Sequence, residues 1–132
     1  MAFWNAPDDQ ANHAARACRT GIAIRAAVHA ENMQRQERSL PPVRVRIGIH
    51  TGDVVVGNIG APGRIHYTVV GDVVNIANCL EQLGREEIAP EEAVIILISG
   101  ATQDRIPDSI GRIRIGARSL RGLDSDVTVY KL

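Results

Sequence analysis

The chain has 132 residues, 45% apolar and 23% charged, which fits one soluble globular domain and excludes a disordered chain or two full domains. Fifteen basic side chains balance fifteen acidic ones, an argument against nucleic acid or an anionic membrane surface as an obligatory partner. No apolar run reaches the eighteen or so residues of a membrane span, and the opening MAFWNAP lacks the basic and apolar regions of a secretory signal.

Cys18 and Cys79 are the only cysteines, too few for a disulfide framework or a zinc pattern. A reducing, cytoplasmic location is expected. Phe3 and Trp4 arrive before any element has had room to form, and MAFW followed by Asn5-Ala6-Pro7 reads as the end of a strand running into a turn.

From Asp8-Asp9, suitable caps at a helix N-terminus, an alanine-rich helix is expected to about Arg38. Its stripe is Ala11, Ala15, Cys18, Ile22, Ala26, Ala30 and Met33, spaced three or four apart. Small side chains on that stripe suit close packing on a sheet, and Pro41-Pro42 stops the helix. In VRVRIGIH, Val43, Val45, Ile47 and Ile49 alternate with Arg44, Arg46, Gly48 and His50, the pattern of a half-buried strand. Thr51-Gly52-Asp53 supplies turn chemistry and DVVVGNIG resumes the alternation, so residues 43–60 read as a hairpin. A loop at Ala61-Pro62-Gly63-Arg64 and a short extended piece, IHYTVV, come next.

In VVGDVVNIANCLEQL, Asp72 caps a second helix that buries Val73, Ile76, Ala77, Leu80 and Leu83 and stops at Gly84. AVIILIS is a continuous apolar run, expected of a strand buried on both faces. Ser99 to Arg105 reads as a short helix. RIRIGARSL and DVTVYKL are alternating strands joined by a turn over Gly122 to Asp126. The order α-β-β-α-β-α-β-β predicts an α+β fold, helices packed on a mostly antiparallel sheet.

The chain has no Walker loop, dinucleotide-binding glycine fingerprint, HExxH or GxSxG. Glycines 48, 52, 57 and 60 read better as turns and bulges than as a phosphate cradle. His50 and His66 read as isolated surface or core histidines, and Arg44, Arg46, Arg112 and Arg114 as solvated strand positions. The second helix leaves two readings open. Asn75 and Cys79 are helical neighbours four residues apart, with Asn78 beside them, where an ordinary solvated face carries Glu and Lys. This face is either plain surface or a polar site.

The string RVRIGIHTGDVVVGNIGAPGRIHYTVVGDVVNIANCLEQL closely resembles the catalytic domain of the class III nucleotidyl cyclases, the adenylate and guanylate cyclases. The family pattern runs Arg-Ile-Gly-Ile-His-x-Gly, Gly-x-x-Gly, then Tyr-Thr-x-x-Gly-Asp-x-Val-Asn opening a helix. Arg46 to Gly52, Gly57 to Gly60 and Tyr67 to Asn75 reproduce it in order. MAFWNAP with the helix after it, and Leu120-Arg121-Gly122 with VTVYKL, resemble the flanking segments of the same domain. The resemblance implies a ferredoxin-like nucleotidyl cyclase fold and a reaction in which a nucleoside triphosphate gives a 3′,5′-cyclic monophosphate and pyrophosphate. The ribose 3′-hydroxyl attacks the α-phosphorus, helped by two metal ions, Mg2+ or Mn2+, held by a pair of aspartates. Each site lies at the interface of a head-to-tail dimer.

Carried over by position, Thr68 matches the purine-reading residue and favours ATP, Asn75 the residue that orients the ribose, and Arg121 a phosphate-binding lysine. Two departures stand out. The metal-holding aspartates and the lysine that helps read the purine belong to elements expected before Met1. Residues 1–132 therefore read as one N-terminally truncated homology domain, without its first strand and helices, that holds no metal and has no activity alone. Asp53 and Asp72 are a turn and a cap, not their replacements. Cys79 stands where the family carries an arginine that stabilises charge on the α-phosphate, a role no thiol can fill. Two functions follow: part of an adenylate cyclase acting on ATP in a homodimer for signal transduction, or a degenerate homology domain that dimerises or holds nucleotide as a regulatory module. The missing strand is expected to leave open sheet edges and to promote dimer formation.

Overall fold

The computed structural model describes residues 1–61, 64–120, 123 and 125–132, with residues 58–61 and 64–68 described through the backbone alone. In chain order the elements are α1 (His13–Glu37), β1 (Val45–Ile49), β2 (Val55–Ala61), β3 (Arg64–Val70) and α2 (Asp72–Glu87). Then come β4 (Val94–Ser99), α3 (Gly100–Gln103), β5 (Ile113–Arg118) and β6 (Val127–Lys131). One sheet has the order β1-β4-β6-β5, and β2 pairs with β3 in a separate two-stranded ribbon. β1 and β4 run parallel, joined through α2, while β4–β6 and β5–β6 are antiparallel. The α+β expectation holds.

β4 organises the packing. All six of its residues are buried, and successive side chains point to opposite faces of the sheet. Val94, Ile96 and Ile98 face a core shared with Ala14, Ala15 and Cys18 of α1. Ile95 and Leu97 face a second core with Leu80 of α2, Leu120 and Val129. A helix therefore covers each face, which is why this strand's sequence is apolar without alternation.

Small residues set the depth of both helices. α1 buries Ala14, Ala15, Ala17, Cys18 and Gly21, and a Cβ at Gly21 would stand 3.4 Å from Ile96 Cγ2. Burial among these neighbours pushes the Cys18 thiol up to about 11, because desolvation penalises the thiolate. On the opposite face, Gly48 lets the backbone of α2 rest on β1, and Gly84 approaches Ile95 from the same helix.

The structure corrects five sequence expectations. Residues 43–60 are not a hairpin: β1 pairs with β4, and β2 pairs with β3 from Val55↔Val70 to Ala61↔Arg64. Alternation identified each strand correctly but carried no information on partners, and β1 lies beside β4, whose six residues are all buried. The segment IHYTVV is accordingly most of β3, a full strand. α1 starts at His13, with Asn12 at its cap position, not after Asp8-Asp9. Ala15, Cys18 and Ile22 keep the predicted stripe, whereas Ala26, Ala30 and Met33 are exposed and the second half of α1 meets its neighbours through Val28, packed on the core, and Asn32, hydrogen-bonded to Val43. Residues 1–9 form neither helix nor strand, so MAFW is not a strand end here.

The short helix at Ser99 is a single turn, Gly100–Gln103, capped by Ser99 Oγ accepting from Thr102 N–H at 3.3 Å. The turn expected over 122–126 lies partly outside the described residues. No described helix is long and apolar enough to cross a membrane. β1 ends the four-stranded sheet and has β4 as its one strand partner among the described residues.

Candidate functional site

α2 is the element on which the polar residues converge. Gly71, at φ 152, takes a backbone conformation that a side chain would strain, and it turns β3 directly into the helix. Asp72 occupies the first turn, where a carboxylate complements the positive helix end. Leu80 and Gly84 are buried, with Ile76 and Leu83 packed on the same core. That orientation turns Asp72, Asn75, Asn78 and Gln82 to the outside and leaves Cys79 half-buried.

Two concave surfaces flank this outward face. The smaller, about 330 Å³, is lined by Asp72, Asn75, Asn78, Cys79 and Gln82 along the helix, with Ile76 and Leu123 as apolar walls. Asn75 and Cys79 thus share one pocket. Leu123 comes from the β5–β6 connection, where its N–H donates to Leu120 O at 3.2 Å and Leu120 is buried in the core beneath α2. Leu120 and Leu123 are therefore tied to each other next to α2, while Arg121 and Gly122 between them lie outside the described residues. The backbone of Thr68 pairs with Gly57 on β3, three residues ahead of Gly71, and its side chain also lies outside them. So the structure unites Asn75 and Cys79 but tests neither Thr68 nor Arg121 as a contact.

The larger groove, about 860 Å³, runs between α2, the end of β1 and residues 1–6. Asn75 and Asn78 border it too, with Arg46, His50, Asp53 and Glu81. Here the structure supplies partners that sequence reading missed. Arg46 Nε donates to Glu81 Oε1 at 2.7 Å, so this arginine is an inter-element ion pair rather than a solvated strand position.

His50 is not isolated: its Nδ1 lies 2.7 Å from Ser99 Oγ. Ser99 Oγ is 3.3 Å from Thr102 Oγ1, which is 3.0 Å from Thr51 Oγ1 and donates to Ile49 O at 3.4 Å. This chain of hydroxyls ties the end of β1 to the β4–α3 junction, and burial lowers the His50 pKa from its ordinary 6.5. The Ser99-x-x-Thr102 cap spacing was its only trace in the sequence. Arg112 is likewise paired, donating to Asp108 Oδ1 at 2.9 Å, and Arg44 donates to Pro90 O, whereas Arg114 is exposed as expected.

The model of the adenylate and guanylate cyclase catalytic domain family matches residues 1–119. This chain belongs to that family. It is 34% identical to Adenylate cyclase 1 of Rhizobium meliloti over 132 residues, all of this chain and 19% of that protein. It is 33% identical to an adenylate cyclase of Anabaena cylindrica over 105 residues, 76% of this chain and 20% of that protein. Among solved structures, the adenylyl cyclase CyaB of P. aeruginosa superposes with a TM-score of 0.83 at 32% identity, covering 96% of this chain and 62% of that one. The guanylyl cyclase Cya2 gives 0.78 at 31% identity, covering 98% and 61%.

The cyclase chain therefore spans about a fifth of these curated relatives and about three fifths of the solved chains. Relatives of both adenylyl and guanylyl type appear among them. The fold expected from the sequence is that of its cyclase neighbours. For a metal, the test is whether acidic, His or Cys side chains converge. Among the described residues no group of three does so, and Asp53 and Asp72 border different concavities. These residues do not fit a two-metal centre.

Proposed function

We propose that this chain is part of an adenylate cyclase catalytic domain that converts ATP to cyclic AMP and pyrophosphate in signal transduction. In this reading the complete enzyme works in the cytoplasm as a homodimer. The carrying observation is the shared pocket of Asn75 and Cys79 on the outward face of α2, in a chain 34% identical along its whole length to an adenylate cyclase. The Asn75 carboxamide, donor and acceptor at once, orients the ribose. Thr68, on the strand that leads into the helix, reads the purine. Arg121 holds phosphate oxygens, keeping the positive charge that binding requires.

The Mg2+ or Mn2+ of the complete enzyme is assigned to ligands outside residues 1–132, and no step is routed here through residues that do not fit it. On this reading the 132-residue chain alone is inactive and self-associates through open strand edges such as that of β1. The test is cyclic AMP formation by the purified chain with ATP and Mn2+, alongside ATP binding by the chain and its Asn75→Ala variant. Binding weakened by the variant, with no product, supports the proposal. Measurable product overturns the assignment of the metal ligands, and binding indifferent to the variant overturns the site.

Cys79 favours a second reading, a degenerate homology domain that binds nucleotide or dimerises without turnover. One lost electrostatic contact to a developing charge costs about a hundredfold or more in rate. Turnover by the full-length protein and by its Cys79→Arg variant separates the two readings.

A further inference from the structure

The open edge of β1 is the floor of a slot, not a flat surface. Val45 N–H donates to Ala93 O at 2.8 Å. Val45, Ile47 and Ile49 therefore turn their backbone groups to β4, and Arg46 and Gly48 turn theirs away from it. Ala17, Gly21 and Ile24 of α1 wall one side of the larger groove, and Val73 and Ala77 of α2 wall the other. An apolar slot with an open strand edge at its floor suits the addition of one more extended segment. Residues 1–6 line this slot, and Phe3 and Trp4 are half-buried there. Among the described residues no hydrogen bond reaches the backbone of Arg46 or Gly48 on the open side, and β4 is the one strand partner of β1.

We propose that residues 1–6 are a displaceable strap that seals this slot and holds back association of a second copy at β1. Phe3 and Trp4 give the strap apolar cover to offer, but it leaves the outward donors and acceptors of β1 without backbone partners. An incoming strand offers both, so it replaces the strap once the chain is concentrated enough. Covering an edge with a loop is one way in which sheets avoid uncontrolled pairing. The inference rests on self-association through β1, given above as part of the proposed function, and adds the element that controls it. The nucleotide pocket on α2 plays no part in it.

Trp4 is the one tryptophan of the chain, so its fluorescence reads the strap without any substitution. The test follows light scattering and Trp4 emission together as the purified chain is concentrated. Association should move the emission to longer wavelength and raise quenching by acrylamide, because the strap leaves the slot. Phe3→Ser removes one of the two aromatic anchors and should lower the midpoint concentration for association by about tenfold. In that background Arg46→Pro should suppress association, since its ring removes a donor on the open side and spares the bonds to β4. Arg46→Ala, which also loses the Glu81 pair, should not. Unchanged amide signals along β4 show that each variant keeps the fold.

Three results overturn the proposal: Trp4 as well protected in the associated form as in the monomer, a midpoint that Phe3→Ser leaves unchanged or raises, or association indifferent to Arg46→Pro. A chain that stays monomeric with and without Phe3 overturns both the strap and self-association through β1. ATP binding that still depends on Asn75 in that case leaves the nucleotide site standing. A strap that responds as expected in a chain that binds no ATP gives the reverse.

Discussion

Gly48 of β1 lies directly beneath the carbonyl of Ala77: a Cβ added to Gly48 would stand 2.1 Å from Ala77 O and 2.5 Å from Glu81 N. Both contacts are to backbone, so neither yields by a side-chain rotation. The pocket residues Asn75, Asn78 and Cys79 belong to the same turns of α2, so this close approach positions the candidate site.

Gly48→Ala should therefore destabilise the chain by at least about 3 kcal/mol, the upper end of ordinary overpacking, and it should shift the amide signals of Asn75 to Glu81. Gly111→Ala is the control, since a Cβ there meets nothing within 4 Å, and should change stability by less than about 0.5 kcal/mol. Urea unfolding of the two variants checks the difference. Equal midpoints would show that α2 does not rest on Gly48.

The hydroxyl chain behind His50 predicts a pH dependence. A histidine whose folded pKa is depressed binds fewer protons folded than unfolded, so stability rises with pH. The contribution is complete above the ordinary value of 6.5 and declines as pH falls from there through the lower folded value. His50→Gln should flatten unfolding free energy between pH 7 and 5, and an unchanged slope would contradict the assignment. Glu92, held low first by its hydrogen bond to Lys131, acts in a separate window. Its contribution is present above the unfolded value of 4.5 and is lost as pH falls through the lower folded value.

Ser99→Ala removes both the cap of α3 and the partner of His50. A lost helix cap costs about 0.5–2 kcal/mol, and leaving Thr102 without this hydrogen bond in a buried setting places the expected loss at the upper end. Urea unfolding at pH 7 reads it, and a loss under about 0.5 kcal/mol would mean that the network does not hold the β4–α3 junction.

Thiol reactivity separates the two cysteines. Cys18 is buried and its pKa raised to about 11, while Cys79 is half-buried, packed at the margin of the core under α2 and lining the smaller pocket. An aromatic disulfide reagent at pH 8 should modify Cys79 in the folded chain and reach Cys18 only after urea unfolding. Rapid modification of Cys18 in the folded chain would contradict the packing of α1.

What was legible in the sequence followed from local chemistry. The continuous apolar run of β4, the strand character of β1, β5 and β6, and the apolar side of α2 were all readable from local pattern, although alternation did not give the burial of β5, where Ile113 is exposed and the register shifts between Arg114 and Gly116. Pairing was not: Thr51-Gly52-Asp53 offers turn chemistry, yet β1 joins β4 some fifty residues away. The start of α1 was misplaced because Asp8-Asp9 have the chemistry of a cap without the geometry. At the site, the polar stripe Asn75, Asn78, Cys79 was visible as an anomaly, and Gln82 and Leu123 joined it only when folding closed the pocket. Neither the His50–Ser99 hydrogen bond nor the Arg46–Glu81 pair could be read from spacing, since each spans more than thirty residues.

The most direct test of the account is cyclic AMP formation from ATP with Mn2+ by the full-length protein, compared between wild type and Cys79→Arg. On the proposed reading a guanidinium at this position faces the α-phosphate, so the rate should rise by about a hundredfold, and adding Asn75→Ala should remove most of the gain. A rate unchanged by Cys79→Arg would contradict the assignment of this face of α2 as the catalytic surface.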